Sequence, residues 1–548
     1  MNYAPAAGLT GTTQALCGAL PLEFAPGDLG PAAEGRMNGM LAWRRGAAAL
    51  LAILAVGLGA SPGLAADDLA PFQITLKPVT GGDAEVDALA VRWRITLPAG
   101  SAFDLTAPIT YAGVEGVADR IEILSATDAS GPIAFITVDD PPHPGGFPHF
   151  RHWKADRPVA GPVEVAYLAR VRPPGGRGGP PFDLRASGGG LSGAGSGFLL
   201  LPRGVQTSHS QLSWDLSDLP AGSGAKTSFG EGDTQVDGPP SRLMQGWYMA
   251  GPFGRYVGAG ESAGFSASWL GRAPFDAAAE MAWAAEAYTY LGEAFGYLDP
   301  VPPYRVFMRF VDGAPCGGGT ALGASFMYSR CALAEGETAT SPRETLVHEM
   351  VHMWVGGIEG PQGVTSWFTE GLTTHYTRLM MLRGGLDSVA AYGAHIDHSA
   401  QALYGLAAQD LSAQEIVAVG FADGDIRHIP YHRGAFYFAD LDARIREQSK
   451  GTRTLDTVLR PMFEARQAGQ TFDHAAWIAL IGAEIGPAAG EEFESRILRG
   501  EAFAPHPNAF GPCFTRRDKT YEIEGRGPVD RYEWVRQTDV PDDLCRNW

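Results

Sequence analysis

Positive charge is scarce in this chain of 548 residues: 42 Lys and Arg stand against 61 Asp and Glu, a formal net charge of −19. Such an acidic surface repels phosphate backbones and anionic lipid, which argues against nucleic-acid binding and electrostatic membrane docking. By itself it says little about a substrate. A fixed-period repeat, a heptad run and a Gln/Asn-rich tract are all absent, which excludes a helical solenoid or a coiled coil. No apolar run is long. The longest, Gly46–Ala60, falls short of the about 20 residues that a spanning helix needs. What the chain has in quantity is Gly (72) and Pro (40), the mark of turn-rich β structure and long loops. At this length about two to four domains are expected.

The short apolar run has a charged flank, Trp43-Arg44-Arg45, and a small-residue exit, Ser61-Pro62-Gly63-Leu64-Ala65-Ala66. Together these describe a secretory signal peptide over about residues 41–66. The protein is therefore expected in a periplasm or secreted, with no stable membrane insertion after cleavage; an uncleaved anchor is the alternative. Some forty patternless residues come first, so translation is expected to start at Met37 or Met40, with residues 1–66 a leader. Of five cysteines, Cys17 lies in that leader, leaving Cys316, Cys331, Cys513 and Cys545. Three pairings are possible. Nearest-neighbour bonds, Cys316–Cys331 and Cys513–Cys545, would suit an oxidising compartment, with four free thiols as the alternative.

From residue 67 to about 250 the pattern is β-like. Ala88–Leu97 contains an alternating apolar stretch, the signature of a half-buried strand. Similar runs recur near Ile121–Leu124, Ile133–Val138 and Val163–Val171, between Gly/Pro turns. Asp139–Pro148 and Pro173–Pro181 read as loops, and His143, His149 and His152 as loop histidines without a carboxylate or cysteine at metal-ligand spacing. From Phe275 to Leu298 an Ala-rich stretch predicts a long helix ending at Asp299-Pro300. Tyr304–Val311 and Ala324–Tyr328 read as strands. Arg343–Trp354 reads as a helix, with Ser341 as cap and Pro342 in its first position. Past Glu370 the chain is mainly helical to about Arg499, and the last residues look irregular.

The central motif is Thr345-Leu-Val-His348-Glu349-Met-Val-His352-Met-Trp354. Histidines four apart on a helix lie on one face, so both imidazoles can reach one ion. Zinc accepts neutral imidazole and carboxylate. Glu349 points into the same site without needing to coordinate, and can take a proton from a water that the ion activates. A third ligand, Glu370, lies in Trp367-Phe-Thr-Glu-Gly371, which opens what reads as a second helix. One Zn2+ held by His348, His352 and Glu370 is therefore expected.

His348-Glu-Met-Val-His-Met-Trp-Val-Gly356 followed by Trp367-Phe-Thr-Glu-Gly371 resembles the gluzincin metallopeptidases, among them the glycyl aminopeptidase and aminopeptidase N families. Ile429-Pro-Tyr431-His-Arg-Gly434 is similar to their Tyr-x-Lys-Gly element, with Arg433 where lysine is common. Ser228-Phe-Gly-Glu-Gly232, Leu441–Arg446 and Gly451–Asp456 look closer to the glycyl aminopeptidases. The likeness spans roughly residues 198 to 480. It implies peptide-bond hydrolysis with Glu349 as general base and Tyr431 as donor to the oxyanion.

It also implies an α+β multidomain fold: an N-terminal β-sandwich-like domain (67–250), a thermolysin-like catalytic domain (260–410) and a helical C-terminal part (411–505), then an irregular tail (506–548). There are departures. His352 and Glu370 have one residue fewer between them than the aminopeptidase N pattern. Where such aminopeptidases carry a glutamate for the substrate's α-amine, Gly318–Tyr328 has no carboxylate. Glu359 is the substitute considered. Gly318, Gly319, Ala324 and Ser325 are the expected substrate-binding residues, with Ala324–Tyr328 pairing its edge to peptide main chain. Peptide or protein is thus the expected substrate. Two rivals stand beside the aminopeptidase: a zinc endopeptidase without amine recognition, and an inactive binding protein on the same fold.

Overall fold

A computed structural model describes residues 71–548, apart from 83–84, 176–178, 314–315, 332, 334–338 and 340. The signal peptide expected over 41–66, like the rest of the leader, lies outside the described residues. No helix of the described residues is long and apolar enough to cross a membrane.

The first part is built of sheets. The long strand Val86–Ser101 alternates buried and exposed side chains and pairs on both sides, with Phe72–Thr80 and Val159–Arg170. It centres a seven-stranded sheet that is antiparallel except where Phe72–Thr80 runs parallel to His209–Trp214. Two five-stranded sheets complete this part. Their inner faces share one core around Trp93, Leu105, Val165, Leu191 and Tyr248, and the Trp93 indole donates to the Leu200 carbonyl at 3.0 Å. His149 and His152 are not in a loop as expected: they sit in the strand His149–Ala155, where His152 faces Asp140 at 3.1 Å. Charged and aromatic residues interrupt the apolar alternation there, which hides the strand.

A third five-stranded sheet follows, in the order Gly254–Val257, Phe265–Leu270, Tyr304–Val311, Ser325–Cys331, Gly319–Ala321. Its middle pairings are parallel and its outer ones antiparallel. The edge strand is Gly319–Ala321, so the expectation that Ala324–Tyr328 forms an open edge is corrected: that strand pairs on both sides.

Helix α1 (Ala277–Phe295) packs on this sheet. Asp276 caps it by accepting from the Ala279 N–H at 3.0 Å. It stops about one turn before the expected Asp299-Pro300, because Gly296 takes the left-handed conformation (φ 62°) that ends a helix. Then come α2 (Arg343–Val355), α3 (Ser366–Arg383), α4 (Val389–Tyr404), α5 (Ala413–Val419), α6 (Gly424–Gln448), α7 (Leu455–Gln467), α8 (His474–Ile485) and α9 (Ala489–Phe493). The chain is thus a mixed α/β multidomain protein with N-terminal sheets and a helical C-terminal part.

The sheets of the two parts meet at a buried ion cluster. Arg309, 2% exposed on the strand Tyr304–Val311, pairs with Asp183 and donates to the Asp183 carbonyl at 2.7 Å. Arg172 and Arg185 surround the same carboxylate. Burial opposes the Asp183 charge, but the three guanidiniums prevail and hold its pKa below the usual carboxylate range.

The tail is not irregular. Phe514–Ile523 and Gly527–Arg536 form a hairpin, followed by the short α10 (Asp542–Arg546). Its strands carry the exposed Arg517 and Lys519 and the half-buried Arg516 and Arg531, which mask the period. Phe514, Tyr521 and Trp534 are buried in a core shared with α4 and α6. Both nearest-neighbour disulfides are present, and Cys513–Cys545 closes this hairpin onto α10.

Candidate metal centre

Helix α2 starts where Pro342 can take its place without forfeiting an intrahelical bond. Ser341 Oγ accepts from the Arg343 N–H at 3.3 Å, while the N-cap position itself is Pro342. One turn apart on α2, the His348 and His352 rings stand 4.9 Å apart and nearly perpendicular. The chain leaves α2 through Gly356 (φ 57°), where a side chain would strike the Arg466 guanidinium, and returns through Gly363 (φ 79°) into α3. Glu370 in the second turn of α3 then faces α2. Its Oε2 lies 3.4 Å from Nε2 of His348 and 3.4 Å from Nε2 of His352.

All three groups are buried, at 6–7% side-chain exposure. Burial pushes the His348 pKa down, leaving the neutral imidazole that a metal requires. Burial also opposes the Glu370 charge, but the two imidazoles outweigh it and hold its carboxyl well below the usual range.

Thr373, one turn beyond Glu370, fixes the tautomer of His352. Its hydroxyl donates to the Thr369 carbonyl at 2.6 Å, so at 3.3 Å from His352 Nδ1 it can only accept. The Nδ1 then carries the proton, and the lone pair of Nε2 is directed to the site. Thr373 was not singled out from the sequence. The signal was there: it lies three residues past Glu370, on the same helix face.

Glu349 is fully buried, and its carboxylate has no close hydrogen bond, only the Ala321 backbone N–H beside it. Burial first and the Glu370 charge second push its pKa well up, with slight relief from the Ala321 backbone N–H on the edge strand. His352 Nε2 is likewise buried without a partner. The His348, Glu349 and His352 ligand atoms all lie within 4.8 Å of one another. Two imidazoles and two carboxylates converging on one buried point are the donor set of a divalent-metal site. They fit zinc.

Tyr431 comes from α6, just after Pro430, and is 6% exposed. Its ring stacks over His348 with centroids 6.0 Å apart and planes at 17°. Two glycines let it get there. A Cβ on Gly371 would lie 2.6 Å from the Gly434 Cα, and one on Gly434 would lie 2.6 Å from the Trp367 carbonyl oxygen. Arg433 points elsewhere, donating to the Gln409 carbonyl at 2.7 Å, with burial lowering its pKa to about 10.

A polar network ties the helices that carry these groups. Glu344 on α2 meets Arg378 on α3 at 3.4 Å. Arg378 donates to Ser399 of α4 at 2.6 Å, and Ser399 lies 2.8 Å from Nδ1 of His432, the neighbour of Tyr431. His395 bridges Glu344 at 3.3 Å and Asp387 at 3.0 Å.

The expected substrate residues divide. Gly319 lies in the edge strand beside Glu349, with Gly318 leading into it. Ala324 sits in the turn beyond. Ser325 is buried, donates to the Leu322 carbonyl at 2.7 Å and meets Ser228 Oγ at 2.7 Å. Its hydroxyl is a structural tie to the N-terminal part, which is what the Ser228–Gly232 motif does here. Ala321, whose backbone faces Glu349, was not singled out. Glu359 is exposed on the α2–α3 connection.

No protein-family model and no curated protein matches the sequence. Solved structures do. An aminopeptidase N family protein from Idiomarina loihiensis aligns with a TM-score of 0.65 at 15% identity, over 83% of this chain and 80% of that one. An M1 zinc metallopeptidase from Deinococcus radiodurans, bound to a Tyr-Ser-Ala substrate, gives 0.49 at 14% identity over 80% and 96%. Leukotriene A4 hydrolase from Saccharomyces cerevisiae gives 0.47 at 13% identity over 80% and 69%. The first likeness is one of fold: the chain shares the architecture of an aminopeptidase N family protein.

Proposed function

We propose that this protein is an exported zinc peptidase, aminopeptidase-like in its action on peptide chains and nearest in kind to the glycyl aminopeptidases. The observation that carries the reading is the convergence of His348, His352 and Glu370 on one point, with the fully buried Glu349 carboxylate beside them. The fold shared with an aminopeptidase N family protein supports it. The two disulfides support export.

His348, His352 and Glu370 would hold one zinc ion, which when bound polarises a peptide carbonyl and renders a water acidic. Glu349, buried beside the three ligands with no close hydrogen bond to hold it, is placed to take a proton from the attacking water. It then delivers that proton to the departing amine. Tyr431, a neutral phenol over His348, donates its O–H to the oxyanion as charge develops. The strand Gly319–Ala321 ends its sheet, with no further strand beyond it among the described residues, so an extended peptide can join it as the next strand. The test is Glu349→Gln. Zinc content, measured by elemental analysis, stays at one per chain while release of products from a peptide pool, followed by mass spectrometry, is lost. An active variant removes Glu349 from the mechanism.

A second reading is favoured by one observation: Gly317–Cys331, which contains the edge strand, has no Asp or Glu to hold an α-ammonium group. An endopeptidase would need none. Cleavage position in free and N-acetylated peptides separates the two, because an aminopeptidase-like enzyme cuts only near the amino terminus and an endopeptidase cuts through the interior.

A further inference from the structure

The N-terminal sheets reach across the cleft and touch the helical part directly. The hairpin tip Ala112–Gly113 points at Phe421, where a Cβ on Gly113 would lie 2.7 Å from the Phe421 Cβ. Beside it the turn Pro144–Gly146 interlocks with Gly420: a Cβ on Gly145 would lie 2.4 Å from the Val417 carbonyl, and one on Gly420 would lie 2.1 Å from the Gly145 carbonyl. Phe147 follows, 5.7 Å from the Phe421 ring, and its ring also closes on Gly363 in the α2–α3 connection. The hairpin tip is shaped for this burial. Ala112 is fully buried at φ 48°, a left-handed conformation that Asn or Gly adopts more readily. The amide of Asn would be stranded in the apolar cluster that Ala112 joins.

The same cluster contains Leu322, the residue after Ala321 at the end of the edge strand, and Phe421 packs against it. On that side the Leu322–Ser325 turn is fastened to Ser228 of the N-terminal part. One continuous apolar wall therefore runs from the end of the edge strand to the start of α6. It stands one residue beyond Ala321, which faces Glu349. On the helix side Phe421 lies in the turn three residues before α6, which then rises about 10 Å over the seven residues from Gly424 to Tyr431 at 1.5 Å per residue. Extended chain advances about 3.3 Å per residue. The space between the reacting groups and the wall thus holds between one and about four residues of peptide.

Resting on the peptidase reading above, we infer that this wall, and not a carboxylate, is what recognises the end of the substrate. A peptide added antiparallel to the edge strand, the more stable pairing, has its amino-terminal side toward Leu322 and the wall. Only a chain end fits there. The recognition is steric, so a free amine and a small acyl cap are accepted alike, and a long or bulky amino-terminal extension is not. Loosening the wall admits longer amino-terminal segments.

The experiment uses twenty-residue peptides, free or N-acetylated, with cleavage sites mapped by mass spectrometry for the zinc-loaded wild type and for Phe421→Ala and Phe147→Ala. The wild type cuts both sets only within the first four bonds, and the variants release longer amino-terminal fragments. Cuts spread through the interior by the wild type overturn the wall while leaving the peptidase reading standing. Rejection of acetylated peptides overturns it too, since an amine contact must then exist. A second measurement needs no turnover. Zinc-loaded Glu349→Gln is titrated by fluorescence anisotropy with one peptide dye-labelled at either end. The carboxyl-labelled peptide binds at least tenfold more tightly, and Phe421→Ala narrows the gap. Equal affinity for the two labels overturns the wall, and no binding with no cleavage sinks both readings.

Discussion

Gly371 and Gly434 meet backbone to backbone where α3 crosses α6, with no room for a methyl group on either. One lies next to Glu370 and the other three residues past Tyr431, so this contact sets how closely the carboxylate and the phenol approach across the site. Their spacing from the functional residues gives a physical reason for the glycine in each motif: it is the bearing on which the two helices turn.

Gly434→Ala is therefore expected to force the helices apart, at an overpacking cost of about 1–3 kcal/mol. Melting temperature falls, and turnover falls by about 100-fold through misplacement of Tyr431. Thermal unfolding and initial rates on the same preparation check this. An active, equally stable variant would show that the crossing has slack.

Tyr431→Phe keeps the stacked ring and removes only the O–H. Zinc content and melting temperature should be unchanged, while kcat falls by about 100- to 1,000-fold, the scale of one lost oxyanion donor. A fall in metal content instead would reassign Tyr431 to supporting His348.

Thr373→Val removes the acceptor that orients His352. Losing such a partner costs about 10- to 100-fold in metal affinity. Competition against a chelator of known affinity reads this directly. Unchanged affinity would mean that the His352 tautomer is fixed by something else.

The expected pH response centres on Glu344 and His395. Burial opposes the Glu344 charge, but His395 and Arg378 overcome it and hold its pKa well below 4.5. Burial likewise opposes protonation of His395, but Glu344 and Asp387 overcome it and raise its pKa above 6.5. The Glu344 contribution is present above 4.5 and lost as pH falls through its folded value. The His395 contribution is complete below 6.5 and lost as pH rises through its folded value. Stability from the pair is greatest between those limits and declines above pH 6.5. In His395→Gln the decline of melting temperature between pH 6.5 and 8.5 should be shallower than in the wild type.

The Cys316–Cys331 bond brackets the edge strand, closing a loop of 15 residues. By loop entropy such a closure is worth about 3 kcal/mol. Replacing both with serine should leave zinc content intact and raise KM, because the strand that receives peptide is held less firmly. Unchanged KM would separate the edge strand from substrate binding.

The convergence of the candidate ligands was legible because they are local: His348 and His352 share a helix face, and Glu370 lies in the next helix. Tyr431 was legible only through its resemblance to a family motif, since nothing in its own neighbourhood marks a tyrosine as functional. The edge strand was misplaced by one strand. Three residues, Gly319–Ala321, are too short to show a pattern, whereas Ser325–Cys331 carries the apolar run Phe326-Met327-Tyr328, which drew the assignment. The hairpin Phe514–Arg536 escaped because its exposed faces carry charge and its buried ones are single aromatics. The contacts of Gly113, Gly145 and Gly420 could not be read at all, because each glycine's reason is a partner hundreds of residues away or in another layer.

The Asp183–Arg309 pair has a consequence for how this molecule comes apart. A chain cut before the strand Gly254–Val257 would lose the Asp183 carboxylate and carbonyl that hold Arg309. The sheet face carrying Phe307 and Met327, buried against Phe182 and Trp247, would open to water at the same time. Such an apolar patch favours association. The half that bears the candidate metal centre is therefore expected to aggregate when expressed alone, and grafting it onto another scaffold requires bringing along the N-terminal sheet that covers this face.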